Sequence, residues 1–383
     1  MKKNPYYVIL TGSKNNAGDF LIKYRAKSLF KELRPDREII DIDGWKPFDE
    51  DTLTLVNGAE ALLLMGGPAL QKNMYPSIYP LVDDLSKITT KIALMGVGWK
   101  SHSGLWGDSQ SYPLSDKTKI LLKRIQSDGL FSSVRDYHTW NVLSRNGISN
   151  VLMTGCPATY VTSALDESFV KPENINKVGF SLGVSFIESP EMLDQMRNTI
   201  LTLKEYFGSD VNFEVVFHHS TKKEFLKTHN ATSNHLKSHL KFIDWLGCND
   251  VKHIDISGSA DNLINYYSSC DLHIGYRVHA HIFMNSINKA SVLIAEDGRG
   301  KALRDVFGGL VIDAFNHLDT SFLGKVLRKL KLKSGYKAYN KQHEETLDVI
   351  KYEIENDFPR LTASRSSINA NFEVMKQFLN KLP

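Results

Sequence analysis

The chain has 383 residues, of which 42% are hydrophobic and 23% are charged. This composition is typical of a globular protein and excludes a disordered one, and the length favours two domains. The formal net charge of +4 is too small to indicate a nucleic-acid-binding protein. The three cysteines, Cys156, Cys248 and Cys270, lie far apart without metal-ligand spacing, so we expect no metal site and a reducing compartment.

The first apolar segment, residues 6–10, is followed directly by Thr11-Gly12-Ser13. Five apolar residues are too few for the core of a signal peptide and are typical of a buried strand. No segment approaches the roughly 18 consecutive apolar residues that a membrane-spanning helix needs. We therefore expect a cytoplasmic protein.

The first half of the chain repeats a short apolar segment, a turn and a helical pattern. The predicted helices are 21–33 and 117–127, the second with Ser115 as its N-cap. The predicted strands are 6–10, 38–42, 61–65, 91–95, 130–134 and 151–153. Strands that alternate with helices indicate βαβ units and a parallel sheet.

The pattern stops at residues 163–177, which are polar and predict an exposed linker, and then restarts. Ser189 and Pro190 predict the start of a helix over 190–207. The second set of predicted strands is 178–184, 213–217, 251–254, 272–275, 291–295 and 310–312. We therefore predict two doubly wound Rossmann-like domains, residues 1–162 and 178–318, facing each other across a cleft, with a helical segment over 319–383.

Ligands of open parallel sheets bind beyond the carboxyl ends of the strands. The first strand is followed by Thr11-Gly12-Ser13-Lys14-Asn15-Asn16-Ala17-Gly18-Asp19, a small-residue loop that opens a helix. Such a helix start attracts anions, and Asp19 either caps the helix or faces a ligand. Three further predicted strands end in Gly66-Gly67-Pro68, Gly96-Val97-Gly98-Trp99-Lys100 and Arg135-Asp136. Together these loops predict a cleft that is lined by glycine and charged residues at the carboxyl ends of the strands.

In the second half, the predicted strand 272–275 leads into Tyr276-Arg277-Val278-His279 and then an apolar helical segment. Arg277 and His279 therefore lie at a strand's carboxyl end, close to a helix N-terminus. A guanidinium and an imidazole can converge on an anion there, although a structural role is equally compatible with the sequence. His281 is two residues further on and is expected to point away from the cleft.

Other candidates follow neighbouring strands. His218 comes after the strand 213–217, where it either binds sugar hydroxyls or a nucleotide, or lies in a surface turn. His102 is placed to contact an acceptor, and Trp99 to stack on a sugar. Lys301, with Arg299, follows the strand 291–295 and could hold phosphate.

Five motifs, by their sequence and by their order along the chain, resemble the polysaccharide pyruvyl transferase family, and the resemblance covers most of residues 6–315. The most specific is the Arg-x-His of Arg277 and His279 after a strand that begins near Asp271. The others are Asn16-Ala17-Gly18-Asp19, Met65-Gly66-Gly67, Gly96-Val97-Gly98 and Ser133-Val134-Arg135-Asp136. The resemblance implies a GT-B-like architecture whose last helix packs back on the first domain. It also implies phosphoenolpyruvate as co-substrate, no further cofactor, and a pyruvate ketal on a hexose of a surface polysaccharide or its precursor.

That implied reaction assigns roles to three residues. Arg135 and Arg277 would bind the carboxylate and phosphate of the donor, because a guanidinium binds oxyanions bidentately at any working pH. His279 would be the general acid that protonates the methylene carbon. The expected substrate-binding set is Asn16, Gly18, Asp19, Gly66, Gly67, Gly98, His102, His218 and Lys301.

Several alternatives stay open on the sequence. A nucleotide-sugar glycosyltransferase would have the same two-domain shape, and a non-catalytic glycan-binding relative would keep the fold. The acceptor sugar is either free or lipid-linked. A basic run from Lys325 to Lys337, interleaved with leucine and valine, either docks on an anionic membrane at the inner face or is a solvated helix face.

Overall fold

The computed structural model describes residues 4–11, 17–101, 103–169, 171–223, 233–316, 323, 326, 337–339 and 341–383. Two predicted site residues, Asn16 and His102, lie outside these ranges, as do the basic residues between 325 and 333. Among the described residues, no helix is both long enough and apolar enough to cross a bilayer.

The first half forms a parallel sheet with the strand order β2-β1-β3-β4, and a separate parallel pair, β5-β6. Strands β3 and β4 are buried along their whole length, as expected for parallel strands covered on both faces. The elements are β1 (Tyr6–Thr11), α1 (Ala17–Leu33), β2 (Glu38–Asp43), α2 (Glu50–Asn57), β3 (Ala61–Met65), β4 (Ile92–Met95), α3 (Trp106–Gln110), α4 (Asp116–Ser127), β5 (Ser132–Val134), α5 (Tyr137–Arg145) and β6 (Val151–Met153).

Serine side chains join β5 to β4. The hydroxyls of Ser132 and Ser133 accept the backbone N–H groups of Leu94 and Gly96, at 3.1 and 3.0 Å. Just beyond β4, Val97 bridges Val134 in parallel register. The pair β5-β6 therefore continues the first sheet, and the end of β5 lies beside the end of β4.

The second half forms a six-stranded parallel sheet with the order β12-β11-β10-β7-β8-β9. A short antiparallel pair, β13-β14, lies beyond it. The elements are β7 (Lys177–Ser181), α6 (Pro190–Phe207), β8 (Asn212–Phe217), α7 (Ser233–Cys248), β9 (Lys252–Asp255), α8 (Ala260–Ser268), β10 (Leu272–Gly275), α9 (Val278–Ser286), β11 (Ala290–Ala295), α10 (Gly298–Phe307), β12 (Val311–Asp313), β13 (Phe315–Asn316) and β14 (Lys337–Ala338).

Each sheet has a point where the strand order reverses. In the first sheet it lies between β1 and β3, and in the second between β10 and β7. Open α/β sheets bind ligands at such switch points, beyond the carboxyl ends of the strands. The loops after these four strands therefore position the candidate site.

The chain ends in two helices, α11 (Gln342–Glu355) and α12 (Pro359–Asn380). Ile368, Phe372 and Phe378 of α12 share a buried core with the strands of the first sheet. Arg34 also donates hydrogen bonds to the carbonyls of Leu379 and Leu382, both at 2.9 Å. The last helix is thus held against the first half of the chain.

The predicted α/β fold of parallel sheets with a helical C-terminal segment is confirmed. The strand predicted over 178–184 is shorter, because it ends at Ser181 and a 3₁₀ turn begins at Ser185. The segment after 319 is not helical throughout, since Lys337–Ala338 pairs with Phe315–Asn316. The domain boundaries stay predictions.

Candidate active site

The turn that carries Arg277 and His279 is fastened to the neighbouring strand. Arg277 is the N-cap residue of α9, and its N–H donates to the Ser181 hydroxyl at 3.0 Å. The Tyr276 N–H donates to the Ser181 carbonyl at 2.9 Å. Gly275 has a φ of +140°, and a Cβ there would lie less than 3.0 Å from Ser181 backbone atoms. The turn therefore needs glycine to approach β7 this closely.

Buried imidazole and hydroxyl groups, linked by hydrogen bonds, support the turn that carries Arg277 and His279. His273 Nε2 lies 2.8 Å from the Ser181 hydroxyl and its Nδ1 2.7 Å from the Ser291 hydroxyl. His281 Nδ1 lies 2.7 Å from the same Ser291 oxygen. Burial lowers the pKa of His273 well below its ordinary value and that of His281 to about 3. Both imidazoles are therefore neutral, and they hold the turn by hydrogen bonds alone.

His279 belongs to the second half of the chain, and its side chain contacts the first half. Its ring packs on Gly18 in the first turn of α1, where a Cβ would lie less than 3.0 Å from Nδ1. The residue is only 6% exposed, and no group among the described residues bonds its Nε2. Since buried polar atoms are normally paired, Nε2 is the atom left for a ligand.

Arg135 comes from the end of β5 and packs on Gly98, where a Cβ would lie less than 3.0 Å from its guanidinium. Its Nε lies 3.5 Å from Asp136, whose carboxylate also caps α5 through Thr139. Arg135 is 2% exposed, yet within the described ranges neither Nη atom has a partner. A buried guanidinium with two unpaired donors is arranged for an oxyanion.

Positive charge surrounds the His279 imidazole from both halves of the chain. Burial, and then the charges of Arg135, Arg299 and Arg277, lower the pKa of His279 to about 3. Asp297 opposes this shift only weakly. The imidazole is therefore neutral in the empty site, and a bound anion would favour its protonation.

Two basic residues after β11 take different positions. Arg299 pairs with Asp297 at 2.6 Å, and Asp297 also caps α10 by accepting the Arg299 N–H. Burial alone would raise the pKa of Asp297, but Arg299 lowers it on balance. The Lys301 ammonium lies 4.4 Å from the centre of the Phe315 ring. Of Arg299 and Lys301, Arg299 is thus the residue whose charge acts on His279. A phosphate contact by Lys301 stays a prediction.

A cavity of about 300 Å³ opens between the two halves. Its lining comes from both, and includes carboxylates as well as cations. Glu296 is occupied, because it accepts the N–H groups of Val184 and Ser185 and the Ser185 hydroxyl. The lining residues are Pro68, Lys100, Ser101, Val184, Ser185, Glu188, His235, Glu296, Asp297 and Arg299.

The glycine pair after β3 brings that loop against α1. Gly67 has a φ of +69°, and a Cβ there would lie 2.8 Å from the Asp19 carboxylate. Gly66 has a φ of +35° and would meet Ile22 at 2.7 Å. The Asp19 charge also contributes to the raised pKa of Arg299, whose main cause is Asp297. Asp19 therefore lies beside the loop after β3, and its charge acts on Arg299 of the second half.

Two aromatic candidates are buried. Trp99 is fully buried beneath α5, its backbone N–H donating to the Thr139 hydroxyl, and its ring stacks on His138 at 5.1 Å. The prediction that Trp99 stacks on a sugar is therefore wrong. His218 is buried with its Nε2 2.7 Å from the Tyr267 hydroxyl. Its contact with a sugar stays a prediction.

The structure brings together Arg135, Arg277, His279, Gly18 and Gly98. Sequence reasoning placed Lys301 in the substrate-binding set and named Arg299 only beside it, and it missed Ser181. Ser181 is a polar residue directly after the segment Val178-Gly179-Phe180, and this is the signal that could have revealed it. In the described parts of the chain, no group of three His, Cys, Asp or Glu side chains could hold a metal.

A methyl group at Gly18 should displace the imidazole. We expect Gly18→Ala to lower kcat by about tenfold to a hundredfold, because a displacement of about 1 Å at a catalytic group costs on that order. The matched control is Gly107→Ala, where an added Cβ meets nothing within 4 Å. Steady-state kinetics should show the loss in Gly18→Ala alone, and equal kcat values for both variants would contradict this packing.

The fold and the cleft define a two-lobed α/β protein of the GT-B shape. A UDP-GlcNAc 2-epimerase from Neisseria meningitidis, solved with UDP-GlcNAc, is 10% identical, with a TM-score of 0.51 over 98% of this chain and 99% of that one. The apo structure of OtsA is 7% identical, with a TM-score of 0.51 over 99% of each chain. No curated protein matches the sequence. Residues 16–292 match the family described as polysaccharide pyruvyl transferase, and the chain belongs to that family.

Proposed function

We propose that this protein transfers the pyruvyl group of phosphoenolpyruvate to a sugar of a surface polysaccharide or its precursor. The observation that carries the proposal is a buried His279 imidazole on which the charges of Arg135, Arg299 and Arg277 act, and whose Nε2 has no partner among the described residues. A small donor with a carboxylate and a phosphate supplies the negative charge that this site lacks.

The proposed reaction begins with the proton on His279 Nε2, which goes to the methylene carbon of the donor. The resulting cationic C2 is attacked by one sugar hydroxyl, which loses its proton. A second hydroxyl then displaces phosphate and closes a pyruvate ketal. Of the two protons that the hydroxyls lose, one returns to His279 and the other leaves with phosphate. The arginines bind the donor oxyanions, and the buried site strengthens this attraction by excluding water. The sugar gains one pyruvate less one water, and phosphate is released.

Two carboxylates that already accept hydrogen bonds from the protein argue against a nucleotide-sugar glycosyltransferase. A ribose needs a carboxylate that is free to accept its hydroxyls. Glu296 already accepts three donors of the loop after β7, and Asp297 already binds Arg299. Both acidic residues at this strand end therefore support the protein's own loops.

The donor class is tested by thermal unfolding with phosphoenolpyruvate against a panel of sugar nucleotides. We expect phosphoenolpyruvate to raise the Tm in a concentration-dependent way and the sugar nucleotides to leave it unchanged. A rise with a sugar nucleotide alone would favour the glycosyltransferase alternative. Transfer itself is measured as phosphate release that depends on added glycan, with the matching mass gain on the glycan.

Donor binding should take up a proton. The pKa of His279 is about 3 in the empty site, and the charges of the bound donor raise it. Between the two pKa values, binding adds a proton to the imidazole, so affinity should rise as pH falls through the pKa of the complex. Calorimetry in buffers of different ionisation enthalpy measures this uptake.

His279→Ala, titrated with the same donor in the same buffers, is the control for protons taken up by the phosphate itself. We expect the uptake of the wild-type protein to exceed that of the variant. Equal uptake by both proteins would mean that His279 does not change its protonation state with the donor.

We further propose a cytoplasmic location and an acceptor that is either free or lipid-linked. Phosphoenolpyruvate and nucleotide-linked or lipid-linked sugar precursors meet in that compartment. The peripheral membrane contact predicted for the basic run around Lys325 remains an alternative that liposome co-sedimentation with a charge-reversed variant would test.

A further inference from the structure

The hydroxyl of Tyr267 is buried close to the turn that carries Arg277. Tyr267 lies on α8 and is fully buried. Its hydroxyl lies 2.7 Å from Nε2 of His218, and its ring meets the His273 ring edge to face at 5.4 Å. His273 in turn bonds Ser181, the residue that accepts the Arg277 N–H. Tyr267 therefore packs against the groups that hold this turn.

Tyr267 is also coupled to Arg277 itself. Burial raises the pKa of Tyr267 well above its ordinary value, and the Arg277 charge and an interaction with the Ser181 side chain oppose that rise. The influence is mutual, because burial lowers the pKa of Arg277 and Tyr267 is among the groups that raise it. The Tyr267 hydroxyl is therefore close both to the residue that fixes the Arg277 main chain and to the Arg277 guanidinium.

Three groups fix the hydroxyl of Ser181. A serine hydroxyl has one proton to donate and two lone pairs, so it has three places for partners. The Arg277 N–H takes one at 3.0 Å, and the His273 Nε2 takes another at 2.8 Å. The Tyr267 hydroxyl is the third group. Removal of that hydroxyl would leave His218 Nε2 without its partner and would loosen Ser181 beneath the turn.

The guanidinium of Arg277 depends on this support more than that of Arg299 does. Asp297 holds the Arg299 guanidinium through hydrogen bonds from Nε and Nη2, at 2.9 and 2.6 Å. The Nε of Arg277, in contrast, has no partner among the described residues. The direction of the Arg277 guanidinium is therefore set by the turn and by the side chains packed around it. A guanidinium binds an oxyanion bidentately only when its fork of N–H groups faces that anion.

We infer that Tyr267 is a positioning residue for Arg277. Its hydroxyl, held by His218, keeps the Ser181 hydroxyl and the turn in the arrangement that directs the guanidinium at the donor. Tyr267 acts through Arg277, and His218 acts through Tyr267. This inference rests on the proposed function, because the donor supplies the oxyanions that Arg277 is proposed to bind.

Tyr267→Phe tests this inference, because it removes the hydroxyl and keeps the ring. The matched control is Tyr266→Phe, since Tyr266 is the adjacent residue of α8, is buried, and donates its hydroxyl to Glu214 at 3.0 Å. Both variants lose a hydrogen bond, so both should have a lower Tm. The Kd for phosphoenolpyruvate, measured by calorimetry, should rise about tenfold in Tyr267→Phe alone, because hydrogen bonds to a charged group are weakened. Equal Kd values in the two variants would overturn the inference, since a merely structural role lowers only the Tm.

Substitutions of His218 test the same contact from its other side. His218→Leu offers no polar group, whereas His218→Gln places an amide at about the reach of Nε2. His218→Leu should weaken donor binding about as much as Tyr267→Phe, and His218→Gln should weaken it less. A double variant with both Tyr267→Phe and His218→Leu should bind no more weakly than the weaker single variant, because both substitutions break one contact. Losses that multiply in the double variant would show that the two residues act separately, which would overturn the inference.

The Arg277 side chain can also be observed without the donor. In NMR spectra of protein with isotope-labelled arginine, the Nε–H signal of Arg277 is assigned by its loss in Arg277→Lys. This signal should shift or broaden in Tyr267→Phe and stay unchanged in Tyr266→Phe. An unchanged signal in Tyr267→Phe would overturn the inference. If wild type binds no phosphoenolpyruvate while the signal responds as expected, the positioning of Arg277 stands and the proposed donor is wrong.

Discussion

His279→Ala should lose about 10²- to 10⁴-fold in kcat while the protein stays folded. This is the range that a positioned general acid contributes. The His279 imidazole is buried, and the nearby arginine charges keep it neutral when no anion is bound. Such an arrangement does not stabilise the fold, but it suits an imidazole that is protonated when an anion binds and then donates that proton. The measurement is the rate of acceptor-dependent phosphate release from phosphoenolpyruvate.

The control for His279→Ala is a substitution of a histidine outside the site. We choose His253→Ala, because His253 is exposed on β9 of the second sheet. We expect His253→Ala to keep the wild-type rate and both variants to unfold cooperatively. Near-normal phosphate release by His279→Ala would show that another group protonates the donor.

Arg135→Ala should weaken the use of phosphoenolpyruvate by on the order of 30- to 5,000-fold in kcat/KM. Truncating one partner of a buried, hydrogen-bonded charge pair costs about 2–5 kcal/mol. Both Nη atoms of Arg135 lack partners among the described residues, so their donors are available to the carboxylate or phosphate. Removal of this side chain leaves those oxyanions without the guanidinium of the first lobe.

Arg135→Lys separates charge from geometry. A lysine keeps a positive charge beside Asp136, so thermal stability should stay close to that of wild type. It cannot bind an oxyanion bidentately, so kcat/KM should still fall, by about tenfold to a hundredfold. An unchanged KM for phosphoenolpyruvate in Arg135→Lys would mean that Arg135 serves the fold and not the donor.

Much of the fold could be predicted because its signals are local. The strand over 61–65 is a continuous apolar segment, and the helix Pro190–Phe207 has both its predicted N-cap and its proline. Arg277 and His279 were placed correctly at a strand's carboxyl end for the same reason. The helix after them begins earlier than its apolar segment suggests, because Arg277 itself is the N-cap residue.

The rest of the site depends on contacts between residues far apart in the chain. That His279 packs on Gly18 follows only from how the two lobes meet. The burial of Trp99 depends on the position of α5, which passes over it, and no local pattern around Trp99 indicates this. The unpaired Nη atoms of Arg135 also cannot be inferred from sequence, because an adjacent Asp136 suggests a complete ion pair.

The most direct test is a crystal structure of the protein with phosphoenolpyruvate. We expect one molecule between the lobes, its oxyanions on Arg135 and Arg277, and its methylene carbon about 3–3.5 Å from His279 Nε2. A molecule bound to one lobe alone, or with its methylene carbon directed away from the imidazole, would contradict it.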